Sequence, residues 1–292
     1  MGKLVRHGLS WVSAFGLTVL VAGPAAAAVV YNNLTPNDLM AIATRPDTAP
    51  FEIEAGDDFV LGSRTSITGA SFTGLFVPGS TGGTPSVSQV IVEIYRVFPK
   101  DSDTARTPNV PTRTNSPSDV AFDSRDVTSA FSTSILAATF TALNSVQPGG
   151  IHKSPLQTTG GNGPLTGQEV QLNVTFTSPF DLPPDHYFFI PQVLLSNGGQ
   201  FFWLSASRPI AGAGTTPFPP GVTDLQAWTR DANLDPDWLR VGMDIVGGAT
   251  PPAFNAAFSL AGTPIPAPAS LTLLALGLAG LAGARWRRSQ RP

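Results

Sequence analysis

The chain has 292 residues, with 29 Gly, 28 Pro, no Cys and a formal net charge of −3. That much Gly and Pro excludes a coiled coil or an all-helical bundle, and a hydrophobic content of 42% excludes a disordered polyelectrolyte. Without Cys there are no disulfide staples and no thiolate metal sites, and the net charge argues against a nucleic-acid partner.

The N-terminus has the layout of a secretory signal peptide over residues 1–28. Lys3 and Arg6 form a basic start, Leu9 to Ala22 is an uncharged apolar run, and Ala25 to Ala28 supply small residues for cleavage after Ala28. The apolar run is shorter than the ~20 residues of a spanning helix. Passage through the secretion translocon follows from this reading.

Residues 29–262 read as one all-β domain, an antiparallel β-sandwich or jelly roll with long loops. Asp58 to Leu61 and Ser66 to Phe76 are the first strand candidates after the signal peptide. Val87 to Phe98 is apolar on both faces except for Gln89, Glu93 and Arg96, which predicts a central strand. Ser129 to Leu143 fits a helix or a strand equally well. Val170, Leu172, Val174 and Phe176 alternate with polar neighbours, the period of a half-buried antiparallel strand. Tyr187 to Leu195, Phe201 to Ser205, Trp238 to Val246 and the alternation Phe254, Ala256, Phe258, Leu260 complete the set. Turn residues rather than helical periods separate these segments, which favours a sandwich. Residues 99–119, 147–167 and 208–224 form the long loops.

No motif assigns a reaction. There is no G-x-S-x-G elbow, P-loop or H-E-x-x-H. His152 and His186 are the only His residues after the signal peptide and read as structural or surface groups. Glu52, Glu54, Asp57 and Asp58 cluster in sequence, with Glu52 and Glu54 on one face of a strand, and read as a solvated face followed by a turn. Asp231, Asn233, Asp235 and Asp237 place oxygen side chains at alternate positions, as a calcium loop does. Pro236 stands where an EF-hand has Gly and Gly242 where it has Glu, and an Asp/Asn/Pro turn needs no metal. No other cofactor is expected. Trp228, flanked by polar residues, is the candidate for stacking on a sugar ring.

Residues 263–292 form a second targeting element. Leu271 to Ala284 carries no charge, and Arg285, Arg287 and Arg288 follow it as a membrane stop, placing the tail inside and the body outside. Pro266, Ala267, Pro268, Ala269 and Ser270 precede the apolar run. The three-part layout resembles the PEP-CTERM sorting signal of Gram-negative bacteria, with Ala267 where that family usually has Glu. The resemblance implies a short transmembrane helix, processing by the membrane enzyme exosortase, and a link to extracellular polysaccharide. The body is similar to bacterial exported proteins that pair Asp57-Asp58-Phe59 with the block Asp237 to Ile245, which implies a β-sandwich and no activity.

The ends also explain the charge. They hold 6 of the 17 basic residues and none of the 20 acids, so the body carries 11 bases against 20 acids, a net −9. The expectation is an exported, transiently membrane-anchored, non-enzymatic protein of the cell surface or extracellular polysaccharide matrix. The alternatives are a carbohydrate-binding module and a secreted polysaccharide or ester hydrolase.

Overall fold

A computed structural model describes residues 27–47, 51–80, 82–105, 114–152, 158–206, 221 and 223–266. The signal-peptide residues before 27 and the sorting-signal residues from Ala267 onward, with Arg285, Arg287 and Arg288, lie outside the described residues.

Among the described residues, fourteen strands make up the body. They are β1 (Ala28–Asn33), β2 (Pro36–Ala43), β3 (Ile53–Leu61), β4 (Thr65–Val77), β5 (Val87–Arg96), β6 (Asp123–Asp126) and β7 (Phe131–Ala142). The rest are β8 (Ser145–Val146), β9 (Leu165–Leu182), β10 (Asp185–Leu195), β11 (Gln200–Ala206), β12 (Trp228–Asp231), β13 (Leu239–Arg240) and β14 (Phe258–Pro264). All pairings between them are antiparallel except β2 with β8.

The strands form two layers. In the first, β9 lies between β7 and β4. The other edge of β4 is shared, β14 pairing with its first half and β11 with its second. β14 leads on to β1, and β11 to β2 and β8. The second layer runs β6, β5, β10, β3, β12, β13. A tight hairpin joins the layers through β10 and β11. Asn197 and Gly198 both take positive φ there, and the Gly199 N–H donates to the Ser196 carbonyl. That is the type I′ geometry whose twist matches the flanking strands.

Period-two alternation turns one face of each layer inward. Val170, Leu172, Val174 and Phe176 are buried on β9, while Thr175 and Thr177 are exposed, as predicted. Phe72 and Phe258 of the first layer meet Phe189 of the second, with ring centroids 6.1 and 5.0 Å apart. Tyr31 stacks on Phe258 at 4.5 Å and meets Phe59 edge-on. Each such side chain contributes roughly 1.5–3 kcal/mol by leaving water.

One open reading is settled and two segments differ from their sequence reading. Ser129 to Leu143 resolves to strand, paired along one edge with β9 and leaving Ile135 and Leu136 exposed. The run from Trp238 is strand only at Leu239–Arg240, after which Val241–Val246 closes as a π-helical turn. Asp244 causes this by accepting from the backbone N–H, Nε and Nη2 of Arg240. Phe254 and Ala256 are buried, but the strand begins only at Phe258. The Ala256 N–H is turned to the Asp57 carboxylate at 2.8 Å instead of entering a ladder.

Candidate functional site

The outer face of the second layer carries a buried polar array. On β3 the even-numbered residues Glu54, Gly56 and Asp58 share that face with Tyr95 of β5 and Phe188 and Ile190 of β10. This follows from the registers Phe188↔Asp58, Phe188↔Tyr95 and Arg230↔Glu54. The solvated face expected for Glu52 and Glu54 is therefore corrected. Tyr95, Phe188, Ile190, Leu225, Trp228 and Trp238 form a second small core over the sheet, which closes Glu54 and Asp58 off from water.

Burying charge is costly unless it is paired, and every member of this array has partners. Glu54 receives the Arg230 Nε and, at 2.7 Å, the Tyr95 hydroxyl. Arg230 also donates to the Tyr95 oxygen at 2.9 Å and to the carbonyls of Asp119 and Pro236. Its guanidinium lies 4.4 Å from the Trp238 ring centroid. Burial alone would lower the Arg230 pKa, but Glu54, Tyr95 and Asp235 together hold it above its usual value. Burial, reinforced by the Glu54 charge, pushes Glu93 up to about 8. Glu93 therefore keeps its proton at pH 7, beside the Tyr95 hydroxyl at 3.2 Å. Glu52 is raised by burial and by Glu54, and accepts from the Gln192 amide at 2.7 Å. Oxygens of Glu52, Glu54 and Glu93 converge within 4.8 Å, but Arg230 already supplies the positive charge there.

The two Asp residues of the Asp57-Asp58-Phe59 run serve opposite faces. Asp57 points inward, where burial and the neighbouring Asp58 raise its pKa well above the usual range. Asp58 points outward, accepts from the Leu225 backbone N–H at 3.2 Å, and meets the Nε2 of His186. Burial pushes the imidazole down to about 4, outweighing Asp185 and Asp224. His186 is thus neutral at pH 7, with its Nε2 in hydrogen-bond contact with the Asp58 carboxyl. It borders a cleft lined also by Leu61, Pro184, Thr223 and Leu225.

The candidate calcium loop follows β12. Asp231 Oδ1 accepts from the backbone N–H groups of Asn233 and Leu234, at 3.0 and 2.9 Å. Asp235 pairs with Arg230 at 2.8 Å, and the Asp237 N–H bonds the Leu234 carbonyl. The Asp231 and Asp235 oxygens are committed to closing the turn and holding Arg230. Trp228 is 1% exposed within the second core, with the Arg240 guanidinium 6.0 Å from its ring centroid. A sugar cannot lie on this ring without displacing what covers it.

At the C-terminal junction, β14 runs Thr263↔Ser66 and Pro264↔Thr65 against β4. The Ile265 N–H then bonds the Arg64 carbonyl at 2.8 Å. Pro266 follows as the last described residue. Ala28, at the predicted cleavage position, begins β1 and pairs with Gly262. Among the described residues no helix is long and apolar enough to cross a membrane.

A folded all-β body that passes directly into a C-terminal address belongs to the class of exported, sorted proteins. The particular address is the PEP-CTERM protein-sorting motif, which matches residues 264–288. That motif implies exosortase processing and an exported, cell-envelope or extracellular protein. No curated protein and no solved structure matches the chain.

Sequence reasoning found the sorting motif and the Glu52/Glu54 alternation but not Tyr95 or Arg230. The available signal was Glu93-x-Tyr95 inside an apolar strand, together with a lone Arg in the short strand Trp228–Asp231.

Proposed function

We propose that the protein is a non-enzymatic component of the cell surface or extracellular polysaccharide matrix. In this reading the secretion translocon exports it. The apolar segment Leu271 to Ala284 holds it transiently in the inner membrane, and an exosortase-type enzyme releases or displays it. The sorting motif carries the reading, because it starts at Pro264, within the last strand of the body, and so addresses the folded domain itself. The commitment of Glu54, Arg230, Tyr95 and Asp58 to one another also supports a stable, displayed body over a reactive one.

Cell fractionation of the full chain and of a chain ending at Pro266 tests this. The full chain is expected in the envelope and, after processing, outside the cell. The shortened chain should lose the envelope-bound stage. Identical partitioning of the two would refute sorting by this segment. Retention of the processed body by isolated exopolysaccharide tests the matrix role.

A further inference from the structure

The first and last strands of the body are neighbours, and β14 is the pairing partner of β1 among the described residues. Their antiparallel register places Ala28 beside Gly262 and Val29 beside Ala261. Directly opposed residues are about 4.5–5.5 Å apart. Four residues of extended chain from Gly262 to Pro266 add only about 13 Å. The N-terminal export junction and the start of the sorting segment therefore leave the body at one end, side by side.

This has a consequence for the order of events. A chain exported from its N-terminus delivers β14 as the last strand of the body. Until then β1 lacks its partner, although the rest of the first layer can form through β4, β9, β11 and β2. A peptidase binds its substrate as an extended strand, using the same main-chain groups that a sheet neighbour uses. The Ala28–Val29 bond is open to cleavage while β1 is unpaired and closed once β1 lies on β14.

We propose that β1 and β14 form a clasp that closes only after the whole body has been exported. The leader is removed before closure, and closure then packs Tyr31 onto Phe258. The proposal rests on the export reading above, with cleavage after Ala28.

The absence of Cys makes the test clean. Asn32 opposes Ser259 on one side, and Ser71 opposes it on the other. Opposed strand residues fall within the roughly 4.4–6.8 Å Cα separation of a disulfide. Pulse–chase export of an Asn32→Cys/Ser259→Cys chain, with thiols trapped at each time, reads clasp closure. A Ser71→Cys/Ser259→Cys chain reads the arrival of β14 independently of β1. The 32–259 cross-link is expected in the cleaved chain and lost from the precursor that retains residues 1–28. The 71–259 cross-link, which reports the arrival of β14 on β4, should likewise appear only in cleaved chains. A 32–259 cross-link as abundant in the precursor as in the cleaved chain would overturn the clasp. So would its absence from cleaved chains of the first variant when those of the second carry the 71–259 cross-link. A leader that is never removed from either variant would instead overturn the export reading.

Discussion

Glu54 and Arg230 stand directly opposite each other on β3 and β12, with side chains only 3% and 6% exposed. Removing one partner of such a pair leaves an uncompensated buried charge, at a cost of about 3–5 kcal/mol. Arg230→Met is expected to destabilise the protein by that amount in urea unfolding, without changing the slope of the transition. Glu54→Met/Arg230→Met should recover most of the loss, because apolar residues of similar volume replace the pair. A double variant no more stable than the single one would mean that Arg230 acts through Asp119, Pro236 and Tyr95 rather than through Glu54.

Glu93 gives stability a pH dependence of definite sign. Its pKa rises from 4.5 to about 8 on folding, through burial first and the Glu54 charge second. Between those values the folded protein holds a proton that the unfolded chain releases, so stability falls as pH rises. The stabilisation is complete below about pH 4.5 and lost through pH 8. The urea midpoint should decline across this window, and Glu93→Gln should abolish that component.

His186 works in the opposite direction. Burial lowers its pKa from 6.5 to about 4, so the unfolded chain binds the extra proton between those values. Stability then rises with pH over that window and is lost as pH falls through 4. In the Glu93→Gln background the His186 component is expected to raise the midpoint from pH 4 to 6.5 and then level off, beside the opposite contributions of Asp57 and Glu52. Adding His186→Gln should flatten the climb.

The readable parts of this fold are those fixed by one strand and its own solvent. Val170 to Phe176 alternate with polar residues whose outer face meets water, so period alone identifies β9. The Glu52/Glu54 alternation was equally plain, but its environment was not. The covering residues come from far along the chain, Arg230 lying 176 positions from Glu54. Trp238 to Val246 looked like a strand because its apolar residues fit one. The Asp244 contacts with Arg240 override that pattern locally, and no periodicity records them. The sorting segment was legible for a different reason, since its meaning lies in the order of its parts.

Gly242 is required by close approach of the backbone. A Cβ placed there would lie 1.8 Å from the Pro252 carbonyl oxygen, a backbone atom with no rotamer to move. Overpacking of this kind costs about 1–3 kcal/mol or more. Gly242→Ala is therefore expected to lower the urea midpoint and to loosen the turn at Val241–Val246, seen as faster hydrogen exchange of the Gly247 amide, which bonds the Gly242 carbonyl. Wild-type exchange at Gly247 would show that the turn tolerates the methyl group.

The loop from Asp231 to Asp237 predicts the outcome of metal removal. Asp231 is occupied by the N–H groups of Asn233 and Leu234, and Asp235 by Arg230. A calcium ion would have to displace these bonds and tolerate a guanidinium close by. The melting temperature is therefore expected to be the same in chelator and in excess calcium. Ligand binding to the folded state raises stability by RT ln(1 + [L]/Kd), so an ion held at 100 times its Kd would add about 2.7 kcal/mol. A shift of that size, abolished by Asp231→Asn, would establish a calcium site and require the loop to rearrange around it.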